Sequence, residues 1–317
     1  MTVGASGAKV GISSEVVVCT RNRPHELKCA LESFLQVTHP LRVLVVDASD
    51  DAHTAEVVAE WRSRSPHQIR YLTCAPGLTR QRMLAIEALD PNTAIVHFVD
   101  DDVVVEPEYF AELEAVMLRD PAIQGAGGRI TNQPHEPIKP LWVVAGLDSY
   151  RQGVVLASGL HTFVRDAKAV VRVQWLSGCA MTYRRDLFAQ IGFDTRMSGY
   201  CLGEDVEFSF RASHLGILVH VPMARLEHHP SKRETREVSE WWARDLVQRH
   251  RLVSELAGSG LSKSRFWFSA CREVVLCACE GLVCCRRSLV RRALARGRGI
   301  WRILQQGGDS RNMEVGP

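Results

Sequence analysis

No stretch of eighteen uninterrupted apolar residues occurs in this sequence, so no segment reads as a transmembrane helix. Residues 1–15 carry no apolar core of the kind that defines a secretory leader. The ten cysteines follow no regular framework of loop positions: Cys19 lies in an apolar run, and Cys277, Cys279, Cys284 and Cys285 crowd one helical-looking stretch. A chain of 317 residues can bury a core that needs no disulfide staples, so a cytoplasmic, reducing compartment is expected. C-x-C followed by C-C is not the spacing of a structural zinc site. Internal repeats and low-complexity tracts are absent. So is a G-x-G-x-x-G after the first apolar run, which argues against an ordinary dinucleotide-binding half.

What is present is the composition of a soluble globular protein, with 46% hydrophobic and 24% charged residues. The formal net charge of +3 hides an asymmetry. Between Lys263 and Arg302 ten basic residues face only Glu273 and Glu280, a local +8 that leaves −5 for the rest of the chain. Residues 265–304 also contain Phe266, Trp267, Val274, Leu282, Leu289, Ile300 and Trp301. A basic amphipathic helix of this kind can lie on an anionic membrane surface, peripheral on the inner face of the cell membrane. The alternative is a helix packed on the core with a solvated basic face. Nucleic acid is not an expected partner, since no aromatic-basic stacking platform occurs.

The first hundred residues alternate strand-like and helix-like segments. Residues 15–20 (EVVVCT), 41–46, 71–73 and 94–99 read as strands, the first a β-branched run suited to a parallel sheet. Pro24 opens a helix with Leu27, Ala30, Leu31, Phe34 and Leu35 at helical spacing, and residues 54–64 and 79–89 form two more. This β-α-β-α-β-α-β order predicts a mostly parallel, Rossmann-like α/β sheet flanked by helices, with ligands outside the carboxyl ends of its strands. Beyond residue 120, residues 125–128 and 134–140 read as loops and residues 175–183 as a strand. Residues 204–214 read as a helix, 217–221 as another strand, and 236–256 and roughly 265–304 as long helical segments.

Asp100, Asp101 and Asp102 end the fourth strand. Three adjacent carboxylates repel one another, and a hard divalent cation answers that repulsion. In an extended segment Asp100 and Asp102 face one side and Asp101 the other. The alternative is a solvated acidic turn before the helix near Pro107. A second acidic pair, Glu204 and Asp205, opens a helix after the glycine-bearing approach SGYCLGED. It can be a helix cap, or it can present a base; Asp205 is the candidate to take a proton from an alcohol, with Glu204 orienting or binding that alcohol. Of the adjacent His228 and His229, one imidazole can complete a metal site begun by carboxylates, and His228 is favoured. Arg80, at a helix N-terminus after Gly77, suits an anion, whereas Arg82 on the same helix is a second candidate.

Taken together, VVVCTRNRP at 16–24, VLVVDASDD at 43–51, APGLTRQR at 75–82, FVDDDVVVEP at 98–107, WLSGCAMTYRRDLF at 175–188, GEDVEFSFRA at 203–212 and the histidine pair resemble family 2 glycosyltransferases of the GT-A fold. The resemblance spans roughly residues 14–230. It implies an inverting transfer of a sugar from a nucleotide-diphosphate sugar to a hydroxyl acceptor (a glycan, a lipid-linked or a small-molecule acceptor), assisted by Mg²⁺ or Mn²⁺. Thr20 and Arg23 then border the nucleotide, Asp47 holds the base and Arg80 closes that pocket. Asp100 lies on the ribose side, with Asp101 supporting it. Asp102 is the main metal ligand with a histidine completing it, Asp205 is the base, and Trp175 through Cys179 border donor sugar and acceptor. Gln81-Arg82-Met83 departs from the family pattern and leaves Arg80 and Arg82 as alternatives.

A sugar-phosphate nucleotidyltransferase is the alternative enzyme, but its Gly-rich loop and nearby lysine are missing after the first strand. A non-catalytic glycan-binding module would have little use for both acidic clusters. The expected organisation is a transferase domain over 1–230, divided into a nucleotide-binding part at about 14–105 and an acceptor part at about 106–230. A helical extension over 231–304 and a disordered tail over 305–317 follow.

Overall fold

The computed structural model describes residues 13–134, 137–197, 201–231 and 235–305. The first half alternates as the pattern demands: β1 (Ser14–Thr20), α1 (Pro24–Phe34), β2 (Arg42–Asp47), α2 (His53–Arg64), β3 (Gln68–Thr73), α3 (Leu78–Glu87) and β4 (Ile95–Asp100). These four strands are parallel in the order β3-β2-β1-β4. In β1 the side chains alternate between two cores. Val16 and Val18 pack with Leu27, Leu31, Phe34 and Trp61 on one face, whereas Val17 packs with Ala85 and Phe98 on the other. Because β1 sends the chain to β2 on one side and has β4 on the other, the crevice at its carboxyl end is a switch point, and the acidic turn after β4 opens onto it.

Beyond β4 the sheet becomes mixed. It is completed by β5 (Val103–Val105), β6 (Ile123–Ile130), β7 (Val171–Val173), β8 (Ala180–Arg184) and β9 (Ile217–His228), with α4 (Tyr109–Arg119), the short α5 (Pro140–Val144) and α6 (Glu204–Ala212) around them. The full order is β3-β2-β1-β4-β8-β6-β9-β5, with β7 on β9. Antiparallel β8 inserts beside β4, and β5 pairs antiparallel with β9.

Four expectations need correction. Residues 125–128 are not a loop but lie inside β6. Their glycines give the backbone room: a Cβ on Gly125 would meet the Tyr183 ring at 2.6 Å, and one on Gly128 would meet Tyr109 at 2.5 Å. Residues 175–179 are not strand. Leu176 N–H donates to Ser209 Oγ and Gly178 N–H to Asp205, so this backbone is satisfied by side chains rather than by a neighbouring strand. The strand expected at 217–221 runs on to His228 because β5 pairs with its far end. Finally, the long helical segment at 265–304 is two helices, α8 (Lys263–Val283) and α9 (Arg287–Gln305), broken where Cys285 takes a positive φ of 51°.

With α7 (Thr235–Glu255), these form a C-terminal layer on α6, where Leu246, Val253, Phe266, Ala270 and Ile303 join Trp175, Val206 and Phe210 in a third core. Gly299 allows α9 to approach α7, 2.9 Å from a notional Cβ to the Ala243 carbonyl. No helix among the described residues is long and apolar enough to cross a membrane. Gln305 closes α9; residues 306–317, where a disordered tail was expected, lie outside the described residues, as do residues 198–200 of the glycine-bearing approach.

Candidate active site

The parallel register sets the site. Thr20 lies opposite Asp47, and Cys19 opposite Asp100, so the ends of β1, β2 and β4 converge. Asp100 is the last residue of β4, and Asp101 and Asp102 turn into β5 rather than extending the strand. The β5–β9 pairing then places Val103 against His228, bringing the histidine back beside Asp102.

Within this turn each carboxylate has its own partners. Thr20 Oγ1 donates to Asp101 Oδ2 at 2.7 Å, and Arg23 donates to Asp101 Oδ1 at 2.7 Å and to Asp102 Oδ2 at 2.8 Å. His228 Nε2 lies 3.2 Å from Asp102 Oδ1, yet that buried oxygen accepts no well-formed hydrogen bond. Ligand atoms of Asp100, Asp102 and His228 all lie within 4.8 Å of one another, an arrangement that could hold a metal ion. Two carboxylates, an imidazole and an orphaned buried oxygen are the donor set a hard divalent cation takes. His229 turns away, exposed beside Glu227 at 3.0 Å.

Burial raises Asp101 to about 7 against the pull of Arg23, and it raises Asp100 against Arg82. Burial also opposes ionisation of Asp102, but His228 and Arg23 outweigh it and hold this carboxyl below the usual range. For His228 burial disfavours the charge, while Asp102 and Cys179 raise it to about 10.

On the other side stands the pair from α6. Glu204 is buried against Arg82 of α3, and burial pushes it up to about 8 despite that guanidinium. Arg82, 2% exposed, also donates to the Gly178 carbonyl at 3.0 Å and lies 3.6 Å from Asp100. A single side chain thus joins the acidic turn of β4 to the acidic start of α6. Asp205 is half-buried, and its Oδ2 accepts the Gly178 N–H at 2.9 Å. Space at Gly178 is tight: a Cβ there would sit 3.2 Å from Glu204 Oε1 and 3.3 Å from Asp205 Cβ.

Asp205 also borders a cavity of about 410 Å³ between the sheet and the C-terminal layer, lined among others by His161, Trp175, Trp241, Trp242 and Arg249. Trp175 is anchored by its indole N–H on the Thr162 carbonyl, with His161 and Phe163 rings 4.4 and 5.1 Å away.

Thr20, Arg23, Asp100, Asp101, Asp102, His228, Glu204 and Asp205 therefore share one cleft region, with Trp175 at the cavity beside it. Asp47 is buried at the end of β2 with its oxygens engaged by Ser49 N–H and Tyr71 hydroxyl. Arg80 is exposed and does not touch the acidic groups; Arg82 does. The particular parts played by Gly178 and by Gln81, which donates to the Thr20 and Val46 carbonyls, were not read from sequence: Gly178 was one of residues 175–179 expected to border donor sugar and acceptor, and Gln81 only a departure from the family pattern. For Gly178 the signal was a glycine inside an apparent strand.

The sequence profile described as "Glycosyltransferase like family 2" matches residues 14–251. No curated protein matches the chain. Among solved structures, mannosyltransferase PcManGT from Pyrobaculum calidifontis, in complex with GDP-Man and Mn²⁺, is similar with a TM-score of 0.61 at 16% identity, over 93% of this chain and 87% of that one. GalNAc-T7, solved with UDP, GalNAc and Mn²⁺, gives 0.60 at 17% identity over 78% of this chain, which spans only 48% of that one. S. aureus TarS 1–349 gives 0.53 at 15% identity over 93% and 92%. At such identities the likeness is one of fold.

Proposed function

Because the chain belongs to the glycosyltransferase like family 2, we propose that it moves a sugar from a nucleoside-diphosphate donor to a hydroxyl acceptor in one inverting displacement. The observation that carries this reading is the Arg82 bridge between two separate acidic groups, Asp100 on one side and Glu204 with its neighbour Asp205 on the other. One group serves the leaving side and the other the attacking side.

On the leaving side, Asp100, Asp102 and His228 would hold Mg²⁺ or Mn²⁺. When bound, such an ion neutralises charge on the departing nucleoside diphosphate. Structural neighbours solved with UDP or GDP-Man and Mn²⁺ support this. Arg23 and Thr20 fix the acidic turn, while Asp47 and Arg80 border the donor base.

On the attacking side, Asp205 accepts the proton of the acceptor hydroxyl as its oxygen bonds the anomeric carbon and the bond from that carbon to the phosphate oxygen breaks. The Gly178 N–H fixes the aim of the Asp205 carboxylate. Glu204, locked to Arg82 and buried, positions rather than accepts. Trp175, Trp241 and Trp242 give the cavity beside Asp205 flat apolar faces suited to a sugar-bearing acceptor.

Asp205→Asn tests the base. Transfer falls by about 10²–10⁴-fold, while nucleotide binding measured by calorimetry stays within a few-fold. A comparable loss of binding refutes the assignment.

A further inference from the structure

The exposed large apolar side chains are not scattered: of sixteen among the described residues, nine lie on α5, α8 and α9. Along α8 the outward positions are Phe268, Val275 and Leu282, with exposed Cys271 and Cys279 between them at helical spacing, and Val283 follows at 83% exposure. No acidic residue interrupts this stripe. Beside it a groove of about 360 Å³ between α5 and α8 is lined by Leu141, Val144, Phe268, Val275 and Leu276, with Arg272 at its edge. The outward face of α9 carries Arg287, Arg291, Leu294, Arg298, Trp301 and Leu304.

The basic residues divide by face. Arg292 and Arg296 turn inward onto Glu273, Arg296 also reaches Asp245, and Arg302 pairs with Glu240. These charges are paired inside the C-terminal layer. Arg287, Arg291 and Arg298 make no ion pair among the described residues. Packing does not account for the outer apolar residues, because α9 is held through Ala293, Ala295, Arg296, Gly299 and Ile303 on its other side.

We propose that the α8–α9 hairpin, with α5 beside it, docks on an anionic lipid bilayer. Phe268, Leu282, Val283 and Trp301 enter the boundary between headgroups and acyl chains, and Arg287, Arg291 and Arg298 meet the anionic headgroups. The charge pattern selects this occupant over a second copy of the chain. A two-fold contact would set these arginines against themselves, and the acid nearest the face, Glu280, is already paired with Lys139 and Arg286. The inference stands apart from the transfer chemistry, since none of these residues belongs to the cleft.

The full chain is tested by flotation with vesicles of phosphatidylcholine alone and with about a third phosphatidylglycerol. It binds the anionic vesicles only, and binding weakens as salt rises from about 0.1 to 0.5 M. Joint replacement of Arg287→Glu, Arg291→Glu and Arg298→Glu lowers the partition coefficient on the order of a hundredfold or more. Leu282→Ser with Val283→Ser lowers it about tenfold or more. Both variants alter only exposed side chains, so their melting temperature and nucleotide binding stay at the parent values, which separates lost docking from lost folding. Failure of the parent chain to float with anionic vesicles overturns the proposal, as does flotation unaffected by the charge reversals. A dimer that dissociates on Leu282→Ser with Val283→Ser, without vesicle binding, assigns the face to a second copy and likewise overturns it.

Discussion

Arg82 and Glu204 form an ion pair sealed from solvent, Arg82 at 2% and Glu204 at 5% exposure. A buried charge is tolerated only with its counter-charge, and removing one partner costs about 3–5 kcal/mol because the other is left uncompensated. Arg82→Ala therefore lowers stability by about that amount. It also lowers transfer by at least about a hundredfold, since Glu204 loses the guanidinium that holds it, and with it the start of α6 beside Asp205, in place. Arg82→Lys keeps the charge but not the fork that also reaches the Gly178 carbonyl. It recovers most of the stability and little of the activity. Denaturant unfolding alongside kcat separates the two effects; full activity in Arg82→Lys means that charge alone suffices.

The two histidines give a sharper test of the metal reading. His228 faces Asp102 while His229 faces Glu227. In calorimetric titrations of nucleoside diphosphate with and without Mn²⁺, Asp102→Ala and His228→Ala lose the gain that the metal confers, by about tenfold or more. His229→Ala keeps it. Equal behaviour of the two histidine variants rejects His228 as a ligand.

The strand ends carried the site into the sequence: Thr20, Asp47 and Asp100 close β1, β2 and β4, where apolar runs stop at a polar residue. The acidic turn and its histidine were legible because clustered carboxylates demand a counter-charge. What was hidden came from tertiary contact. Arg82 stood in the sequence only as the alternative to Arg80, and its part shows when α6 brings Glu204 to it. Likewise, the β6 glycines read as loop because only the folded molecule puts the Tyr109 and Tyr183 rings above them. The hairpin break at Cys285 carries neither proline nor glycine, so nothing local announced it.

Those glycines support a paired stability prediction. A Cβ on Gly128 would stand 2.5 Å from Tyr109 and 2.6 Å from the Ala224 carbonyl, and backbone cannot yield as a flexible side chain does. Gly128→Ala destabilises by about 1–3 kcal/mol. Gly297, inside α9 with nothing within 4 Å, behaves oppositely. Gly297→Ala stabilises by about 0.5–1 kcal/mol through helix propensity. Urea midpoints read both; a neutral Gly128→Ala contradicts the packing account.

Glu273 gives the C-terminal layer a dependence on pH with a definite sign. It is 1% exposed and accepts from Arg292 at 2.7 Å, Arg296 at 2.9 Å and Arg249 at 3.3 Å. Burial works to raise its pKa, but Arg296, Arg249 and Arg292 outweigh it and hold the carboxyl far below the carboxylate range. A group depressed in the folded state stabilises fully above its unfolded pKa, about 4.3 for glutamate, and loses that contribution as pH falls towards the folded value. At pH 7 Glu273→Gln leaves Arg249 and Arg292 without the carboxylate they pair with, while Arg296 keeps only Asp245, and costs about 3–5 kcal/mol. The gap in melting temperature between parent and variant then narrows steadily below about pH 4, as the parent approaches protonation and the variant has nothing there to lose. A gap that holds constant from neutral pH to about pH 3 assigns the effect to shape rather than to charge.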